Sequence, residues 1–140
     1  MSKRADRAAA VAATLTSLIG LAAAFALSSL IIMPRPFMDG PATNYLDHVR
    51  DSSFPSDHAT LVFAIAFAFW AYRPPKLPSL WLPCLALALA VGWARVFLGA
   101  HYPRDIAGAA LVAALATAVT ATPPARVATA WISARADRLR

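Results

Sequence analysis

Cysteine and charged residues are both scarce in this sequence. The single cysteine, Cys84, lies inside an apolar run, which excludes a disulfide framework and a thiol-rich metal site. Only 14% of the residues are charged and 59% are hydrophobic, a balance far too apolar for a soluble domain of 140 residues. The sequence also lacks internal repeats, low-complexity linkers and stretches that interleave basic with aromatic residues. We therefore expect one integral membrane domain over residues 1–140 that binds no nucleic acid.

Four apolar runs divide the sequence, at residues 8–33, 58–72, 77–98 and 106–122. The first run exceeds the roughly 20 residues that span a bilayer and is longer than the apolar part of a signal peptide, so it predicts a retained transmembrane helix. The second run, with about fifteen residues, is short for a span. Prolines follow the first and fourth runs and end their helices. The sequence predicts an all-α, polytopic membrane helix bundle of about four transmembrane helices.

The basic residues are distributed unevenly between the two sides of such a bundle. With four spans both termini share one side, which holds nine of the thirteen Lys and Arg residues and is therefore predicted to be cytoplasmic. The loop at 34–57 and the turn before 106 are then extracytoplasmic, in a cell (inner) membrane. The tail at 125–140 fits either an interfacial helix or a frayed basic end. The nine are Lys3, Arg4, Arg7, Arg73, Lys76, Arg126, Arg135, Arg138 and Arg140.

Three polar clusters lie at the ends of the apolar runs, where ionised side chains are costly and usually functional. Arg35 follows the first run, Ser56 to His58 precede the second, and Arg95 to Asp105 separate the third from the fourth. The predicted topology brings all three clusters to one membrane face. Guanidinium groups, a hydroxyl and the amides at a helix start are together suited to a phosphate group.

His101 and Asp105 are four residues apart, with Pro103 between them. Proline suits the first turn of a helix, and Asp105 then lies near the positive end of the helix dipole. We expect Asp105 to accept a hydrogen bond from one nitrogen of His101, which leaves the other nitrogen unprotonated and facing outward. Such a histidine can serve as a nucleophile or a base. Taken alone, the pair is also compatible with a structural role at a helix start.

These clusters resemble the signature of the type 2 phosphatidic acid phosphatase superfamily, Lys-x6-Arg-Pro, Pro-Ser-x-His and Ser/Ala-Arg-x5-His-x3-Asp. The chain carries Arg35-Pro36, then Pro55 to His58, then Ala94-Arg95 through to Asp105, in that order and spacing. The variants Pro-Arg-Pro-Phe-Met-Asp-Gly and Ser-Phe-Pro-Ser-Asp-His-Ala are most similar to the bacterial undecaprenyl-diphosphate phosphatase branch, which is linked to bacitracin resistance. Three spaced motifs over roughly residues 33–111 make the resemblance specific.

The resemblance implies a lipid phosphatase that uses no metal or other cofactor. His101 attacks phosphorus to form a phosphohistidine, Asp105 orients it, and His58 protonates the leaving group and later activates water. The implied substrate is a lipid phosphate or diphosphate, with undecaprenyl diphosphate as the main candidate. A lipid of the phosphatidic acid or phosphatidylglycerophosphate type is the alternative. The implied substrate-binding residues are Arg35, Ser56, Asp57 and Arg95.

Two features depart from the family pattern. The family lysine falls at Ser28, two helical turns before Arg35 on the same face of a continuous helix, and Arg50 or Arg104 is the candidate replacement. Family members usually carry about six spans, whereas four are predicted here. The chain is then either a minimal member, completed by homo-oligomerisation, or a catalytically impaired lipid-binding or scaffold protein.

Two weaker interpretations also follow from the residues. His58 and His101 with nearby aspartates form an alternative metal site, but Arg35 and Arg95 beside them would repel a cation. His48, with its neighbour Asp47, is expected in a solvated loop, and a role in gripping a diphosphate is the alternative.

Overall fold

A computed structural model of the chain describes residues 2–40, 42–45, 47 and 49–136. The predictions for His48 in the loop and for Arg138 and Arg140 on the cytoplasmic side fall outside these residues. The described part of the chain is all-helical, so the predicted all-α class is confirmed. Its helices are α1 (Ser2–Leu30), α2 (Pro36–Asp39), α3 (Asp57–Tyr72), α4 (Trp81–Phe97), α5 (Pro103–Thr120) and α6 (Pro123–Ala136).

The four long apolar runs form α1, α3, α4 and α5, but α1 ends earlier than predicted. It stops at Leu30, because the backbone beyond it pairs with the loop before α3 instead of continuing the helix. The Ser52 hydroxyl donates to the Ile31 carbonyl (2.7 Å) and accepts from the Met33 amide (3.2 Å). The Ser53 amide donates to the Met33 carbonyl (2.8 Å). Residues 31–35 are therefore non-helical, and this segment joins the start of the site to the loop.

Helix α3 lies in the middle of the bundle and packs against α1, α4 and α5. The core between them consists mainly of alanines, with Phe63 as its largest buried side chain. Small residues allow helices to approach closely, which is the usual packing of helices within membranes. Helix α6 packs against α1 and buries Thr129 and Ser133. The tail is thus a helix rather than a frayed end over its described residues.

Within the described residues, two helices, α1 and α5, are long and apolar enough to cross a membrane. Helices α3 and α4 have 16 and 17 residues. At a rise of about 1.5 Å per residue, each is roughly 25 Å long, shorter than the ~30 Å hydrocarbon core of a bilayer. The expectation of four spans therefore stays a prediction.

The start of α1 and the turn between α3 and α4 meet at one end of the bundle. The Lys76 amide donates to Asp6 Oδ1 (3.2 Å). The Tyr72 hydroxyl donates to the Thr120 carbonyl (2.6 Å), and Arg126 donates to the Ala71 carbonyl (3.0 Å). These bonds gather the ends of α3 and α5 and the start of α6 at the same place. The three polar clusters lie at the opposite ends of α1, α3, α4 and α5.

Candidate functional site

The three polar clusters converge on one cavity of about 370 Å³. Its walls come from the last turns of α1, the loop before α3, the first turn of α3, the last turn of α4 and the turn between α4 and α5. The prediction that these segments meet is therefore correct. The lining residues are Phe25, Ser28, Ser29, Arg35, Asp51, Ser52, Pro55, Asp57, His58, Arg95 and His101.

Arg35 is held against His101 by three contacts. Its Nε donates to Asp51 Oδ1 (2.7 Å), and one terminal nitrogen donates to the Ala100 carbonyl (3.1 Å). The same terminal nitrogen lies 3.3 Å from His101 Nε2. Only 6% of Arg35 is exposed, and both its Nε and this terminal nitrogen have an acceptor. Asp51 was not identified from the sequence, because it is one of several aspartates in a polar loop and no spacing distinguishes it.

The partners of His101 determine which of its ring nitrogens carries the proton. Nδ1 lies 2.8 Å from the Ser53 carbonyl oxygen, which can only accept, so Nδ1 must donate. Nε2 faces the guanidinium of Arg35, which can only donate, so Nε2 holds a lone pair. This is the tautomer of a neutral imidazole whose Nε2 can act as a nucleophile once the Arg35 N–H turns from it to a bound phosphate. His101 lines the cavity although only 3% of the residue is exposed.

Asp105 lies beside His101 but is not its closest acceptor. Asp105 Oδ2 is 3.7 Å from His101 Nδ1, so the predicted partner lies beside the imidazole, while the hydrogen bond of Nδ1 goes to the Ser53 carbonyl. The reason is that Asp105 caps its own helix: Oδ2 accepts from the Tyr102 amide (2.8 Å). Pro103 occupies the first turn of α5, as predicted. Sequence reasoning missed Ser53 because a backbone acceptor leaves no mark in the residue types.

The turn between α4 and α5 fixes the distance between Arg95 and His101. The amides of Ala100 and His101 both donate to the Arg95 carbonyl (3.1 and 3.2 Å). Gly99 adopts φ +68°, in the left-handed region that favours glycine, and a Cβ there would lie 2.8 Å from the Ala42 Cβ. The reversal therefore needs a glycine both for its backbone and for the loop packed on it.

The first turn of α3 supplies the second motif. Ser56 precedes the helix, and Asp57 and His58 are its first two residues, both exposed at the cavity. Ser56 is fully buried, and its amide lies 3.4 Å from the Asp105 carbonyl, so it joins the start of α3 to the start of α5. Ser56 thus lies behind the cavity wall, whereas the first amides of a helix, which have no partner within the helix, are suited to an anion.

The cavity brings two guanidinium groups together. Arg95, in the last turn of α4, lines it together with Arg35, and both act electrostatically on His58. Two carboxylates, Asp51 and Asp57, also line it. Such a site is suited to a multiply charged phosphate, which both guanidinium groups can contact. Among the described residues, no three His, Cys, Asp or Glu side chains are placed to share a metal ion.

The position of the family lysine opens onto the same cavity. Ser28 lines it, and its hydroxyl donates to the Phe25 carbonyl one turn back (2.9 Å). Because α1 ends at Leu30, the expectation that Ser28 and Arg35 share one helix face is wrong; the chain after α1 brings Arg35 to the cavity. Arg104 lies 4.6 Å over the Tyr102 ring and is not a lining residue. Arg50 is exposed and is not a lining residue either.

The loop that carries Ser53 is pressed against α5. A Cβ built at Gly108 would lie 2.2 Å from Cε2 and 2.6 Å from Cζ of Phe54, so the Phe54 ring occupies the space of a side chain. Gly108 lies one helical turn beyond Asp105. On its other side the loop is bonded to the residues after α1 through Ser52. The Ser53 carbonyl is therefore positioned from two directions.

Comparison with known proteins agrees with the motifs. Residues 8–127 match the family model described as the PAP2 superfamily, which confirms the resemblance. The putative undecaprenyl-diphosphatase YbjG of Escherichia coli (strain K12) is 38% identical over 95 residues, which are 66% of this chain and 46% of that protein. Undecaprenyl-diphosphatase BcrC of Bacillus subtilis (strain 168) is 35% identical over 101 residues, 72% of this chain and 50% of that protein.

A third relative is the bacitracin transport permease protein BcrC of Bacillus licheniformis. It is 44% identical over 82 residues, 58% of this chain and 38% of that protein. The chain thus spans half or less of the length of each of these three relatives. No solved structure gives a significant match.

Proposed function

Because the chain belongs to the PAP2 superfamily, we propose that it is an integral membrane phosphatase that releases inorganic phosphate from a lipid diphosphate, first of all undecaprenyl diphosphate. The names of two relatives support this substrate. The observation that carries the proposal is the state of His101, whose Nε2 lone pair lies at a cavity lined by Arg35 and Arg95.

In the first step, His101 Nε2 attacks the terminal phosphorus. A nitrogen–phosphorus bond forms, and the bond from phosphorus to the bridging oxygen breaks. His58, at the cavity, gives its proton to the departing lipid phosphate. Arg35 and Arg95 bind the phosphoryl oxygens, whose negative charge is redistributed in the transition state. The Ser53 carbonyl and Asp105 hold the imidazole as its positive charge develops.

In the second step, His58 takes a proton from water, and the water oxygen attacks phosphorus. The nitrogen–phosphorus bond breaks, which releases inorganic phosphate and returns His101 to its neutral form. Ser56 contributes by joining the starts of α3 and α5, and Asp57 lies at the cavity mouth beside His58. The first turn of α3 thus serves both steps.

We place the site at the extracytoplasmic face of the membrane, with α1, α3, α4 and α5 as the spans. The basic residues of the opposite end support this orientation. Because α3 and α4 are each roughly 25 Å long, the hydrocarbon region must be thin near them or the site must lie below the headgroups. Either arrangement lets a membrane lipid bring its phosphate to the cavity.

The test is phosphate release from undecaprenyl diphosphate by the purified protein, with and without a chelator. We expect turnover that the chelator does not change. His101→Gln should abolish both turnover and an acid-labile phosphoprotein, whereas Lys76→Ala, in the exposed turn at the opposite end of the bundle, should leave both intact. If the chelator abolished turnover and a divalent metal restored it, the phosphohistidine mechanism would be wrong.

His58 can be tested separately with p-nitrophenyl phosphate, whose leaving group needs no proton donor. His58→Gln should then accumulate phosphoprotein, because only the hydrolysis step is slowed, by about 10²- to 10⁴-fold. On the lipid diphosphate the same variant should be slow in both steps and accumulate little. Lipid binding without phosphate release by the unaltered protein would instead support the catalytically impaired interpretation.

A further inference from the structure

A second groove, of about 440 Å³, lies between α1 and α3. Large apolar side chains form most of its walls, in contrast to the polar cavity at the end of the same two helices. Two of them are open to the surroundings of the bundle, since Leu18 is 59% and Leu61 is 37% exposed. The large apolar residues of the groove are Leu18, Leu21, Leu61, Ile65 and Phe69.

On α1, the groove and the cavity share one helix face. Leu18 and Leu21 line the groove, while Phe25 and Ser28 line the cavity. Residues three or four apart lie above one another on a helix, so these four form a continuous stripe. The stripe changes from apolar to polar toward the end of the helix that carries the site.

The same change occurs on α3. His58 lines the cavity in the first turn of the helix, and Leu61, Ile65 and Phe69 line the groove in the turns that follow. From His58 to Phe69 the helix rises about 16 Å. The apolar groove therefore follows the polar cavity along the same two helices, and its exposed leucines open it sideways.

We propose that the α1–α3 groove binds the first part of the hydrocarbon chain of the lipid whose phosphate lies in the cavity. This inference rests on the proposed function, because it extends the same site. A chain attached to a phosphate beside His101 must leave the cavity through one of its walls. The wall between α1 and α3 continues into apolar surface.

Another apolar groove in the described residues is less well placed to receive the chain. It has about 420 Å³ and is lined by Phe67, Trp70, Trp81 and Thr117, among others. These residues lie toward the end of the bundle where Tyr72 bonds to Thr120, far from the cavity. A chain bound there would not reach the phosphate site through a continuous surface.

The groove should act by shape rather than by added affinity. In a bilayer, lipid tails are as apolar as leucine side chains, so the chain gains little by leaving the lipid phase. Its contact with α1 and α3 instead fixes the direction from which the phosphate enters. Filling the groove should therefore impair long-chain lipids and spare small soluble phosphates.

The kinetic test uses Leu61→Trp and Leu18→Trp, which fill the groove, and Leu111→Trp as the matched control. Leu111 lies on α5 with 61% exposure and lines neither the groove nor the cavity. We expect the groove variants to lose at least about tenfold in kcat/KM for undecaprenyl diphosphate. Their hydrolysis of p-nitrophenyl phosphate should not change, and the control should hydrolyse both substrates normally. Equal loss on both substrates, or no loss on the long-chain lipid, would overturn the proposal.

A binding experiment separates this inference from the proposed function. A non-hydrolysable polyprenyl diphosphonate, with a photoreactive diazirine in its first isoprene units, should label peptides around Leu18 to Leu21 and Leu61 to Ile65. The label reports binding even if the protein hydrolyses nothing. Labelling concentrated around Trp81, or labelling that avoids both groove segments, would refute the assignment.

Discussion

Gly108 offers the sharpest test of how the site is held, because it lies behind the cavity and contacts no phosphate. The change Gly108→Ala places a Cβ 2.2 Å from Cε2 of the Phe54 ring. Carbon atoms in contact are about 3.5 to 4.0 Å apart, so the ring must move by about 1.5 Å. Phe54 directly follows Ser53, whose carbonyl is 2.8 Å from His101 Nδ1. A displacement of that size, passed to the carbonyl, breaks the hydrogen bond.

The expected effects on stability and on activity differ in size. Alanine in a helix is intrinsically favoured over glycine by about 0.8 to 1.0 kcal/mol. Overpacking costs about 1 to 3 kcal/mol, so the free energy of unfolding should fall only slightly. A misplacement of about 1 Å in a catalytic group, by contrast, can lower turnover about 10²-fold. Gly108→Ala should therefore be folded and nearly inactive.

The assay is turnover of undecaprenyl diphosphate, with thermal unfolding measured in parallel. Gly20→Ala is the matched control, since its Cβ would lie 3.3 Å from Thr60 Cγ2 at the α1–α3 contact, a much milder overlap. Rescue should come from Phe54→Leu in the Gly108→Ala background. Leucine lacks the two ring atoms nearest the new methyl group, and the remaining carbon is then about 3.2 Å away.

The double-mutant cycle decides between a positioning effect and general damage. If the ring transmits the change, Gly108→Ala and Phe54→Leu should couple strongly in turnover. Full activity of Gly108→Ala would refute the claim that the Phe54 contact positions the Ser53 carbonyl. Loss of activity that Phe54→Leu does not restore would refute the proposed path from Gly108 to His101.

Three further predictions concern the cavity and the topology. Ser28→Lys should lower KM, because Ser28 lines the cavity and a charge-assisted hydrogen bond to phosphate is worth about 1.5 to 3 kcal/mol. Asp51→Asn should lower KM, because the Asp51 carboxylate competes with phosphate for Arg35. The side chain of Asp51 is 59% exposed, and such an ion pair contributes at most about 1 kcal/mol, so KM should fall by no more than about fivefold. The topology can be tested in intact cells that express the protein with Cys84→Ser as background. An impermeant maleimide should label Thr43→Cys but not Pro75→Cys.

Each of these predictions has a result that would contradict it. If Ser28→Lys lowered activity and the combination with Arg104→Ala restored it, the missing cation would already be supplied by that arginine. If Ser28→Lys left KM and turnover unchanged, the prediction that the site needs a third cation would be wrong. A higher KM for Asp51→Asn would mean that the carboxylate positions Arg35 instead of competing with phosphate. Labelling at position 75 but not at 43 would reverse the topology.

The helices were predictable because uninterrupted apolar runs and prolines determine where they can form. The early end of α1 at Leu30 was not, because it depends on hydrogen bonds from Ser52 and Ser53, which follow it by more than twenty residues. The short helix α2 was missed because four residues that begin with proline leave no periodicity to read. Distant pairing of backbone groups therefore limits sequence-based boundaries.

At the site, the sequence predicted the residues better than their bonds. Arg35, His58, Arg95 and His101 meet at one cavity because motif spacing and helix direction together determine where they lie. The pairing of Arg35 with Asp51 depends on the course of a polar loop, which composition does not specify. The acceptor for His101 was assigned to Asp105 because side chains are the only groups that a sequence distinguishes.

The backbone origin of that acceptor has a genetic consequence. Every amino acid at position 53 brings the same carbonyl oxygen, so no codon change at that position can delete the group that selects the tautomer of His101. The carbonyl can still be moved, either by a side chain larger than the fully buried Ser53 or by changes at the residues that aim it, namely Phe54, Gly108 and Ser52. A mutational scan of this protein would therefore report the orienting group of its nucleophile through side-chain size at position 53 and through the neighbouring positions, and not through the loss of a functional group.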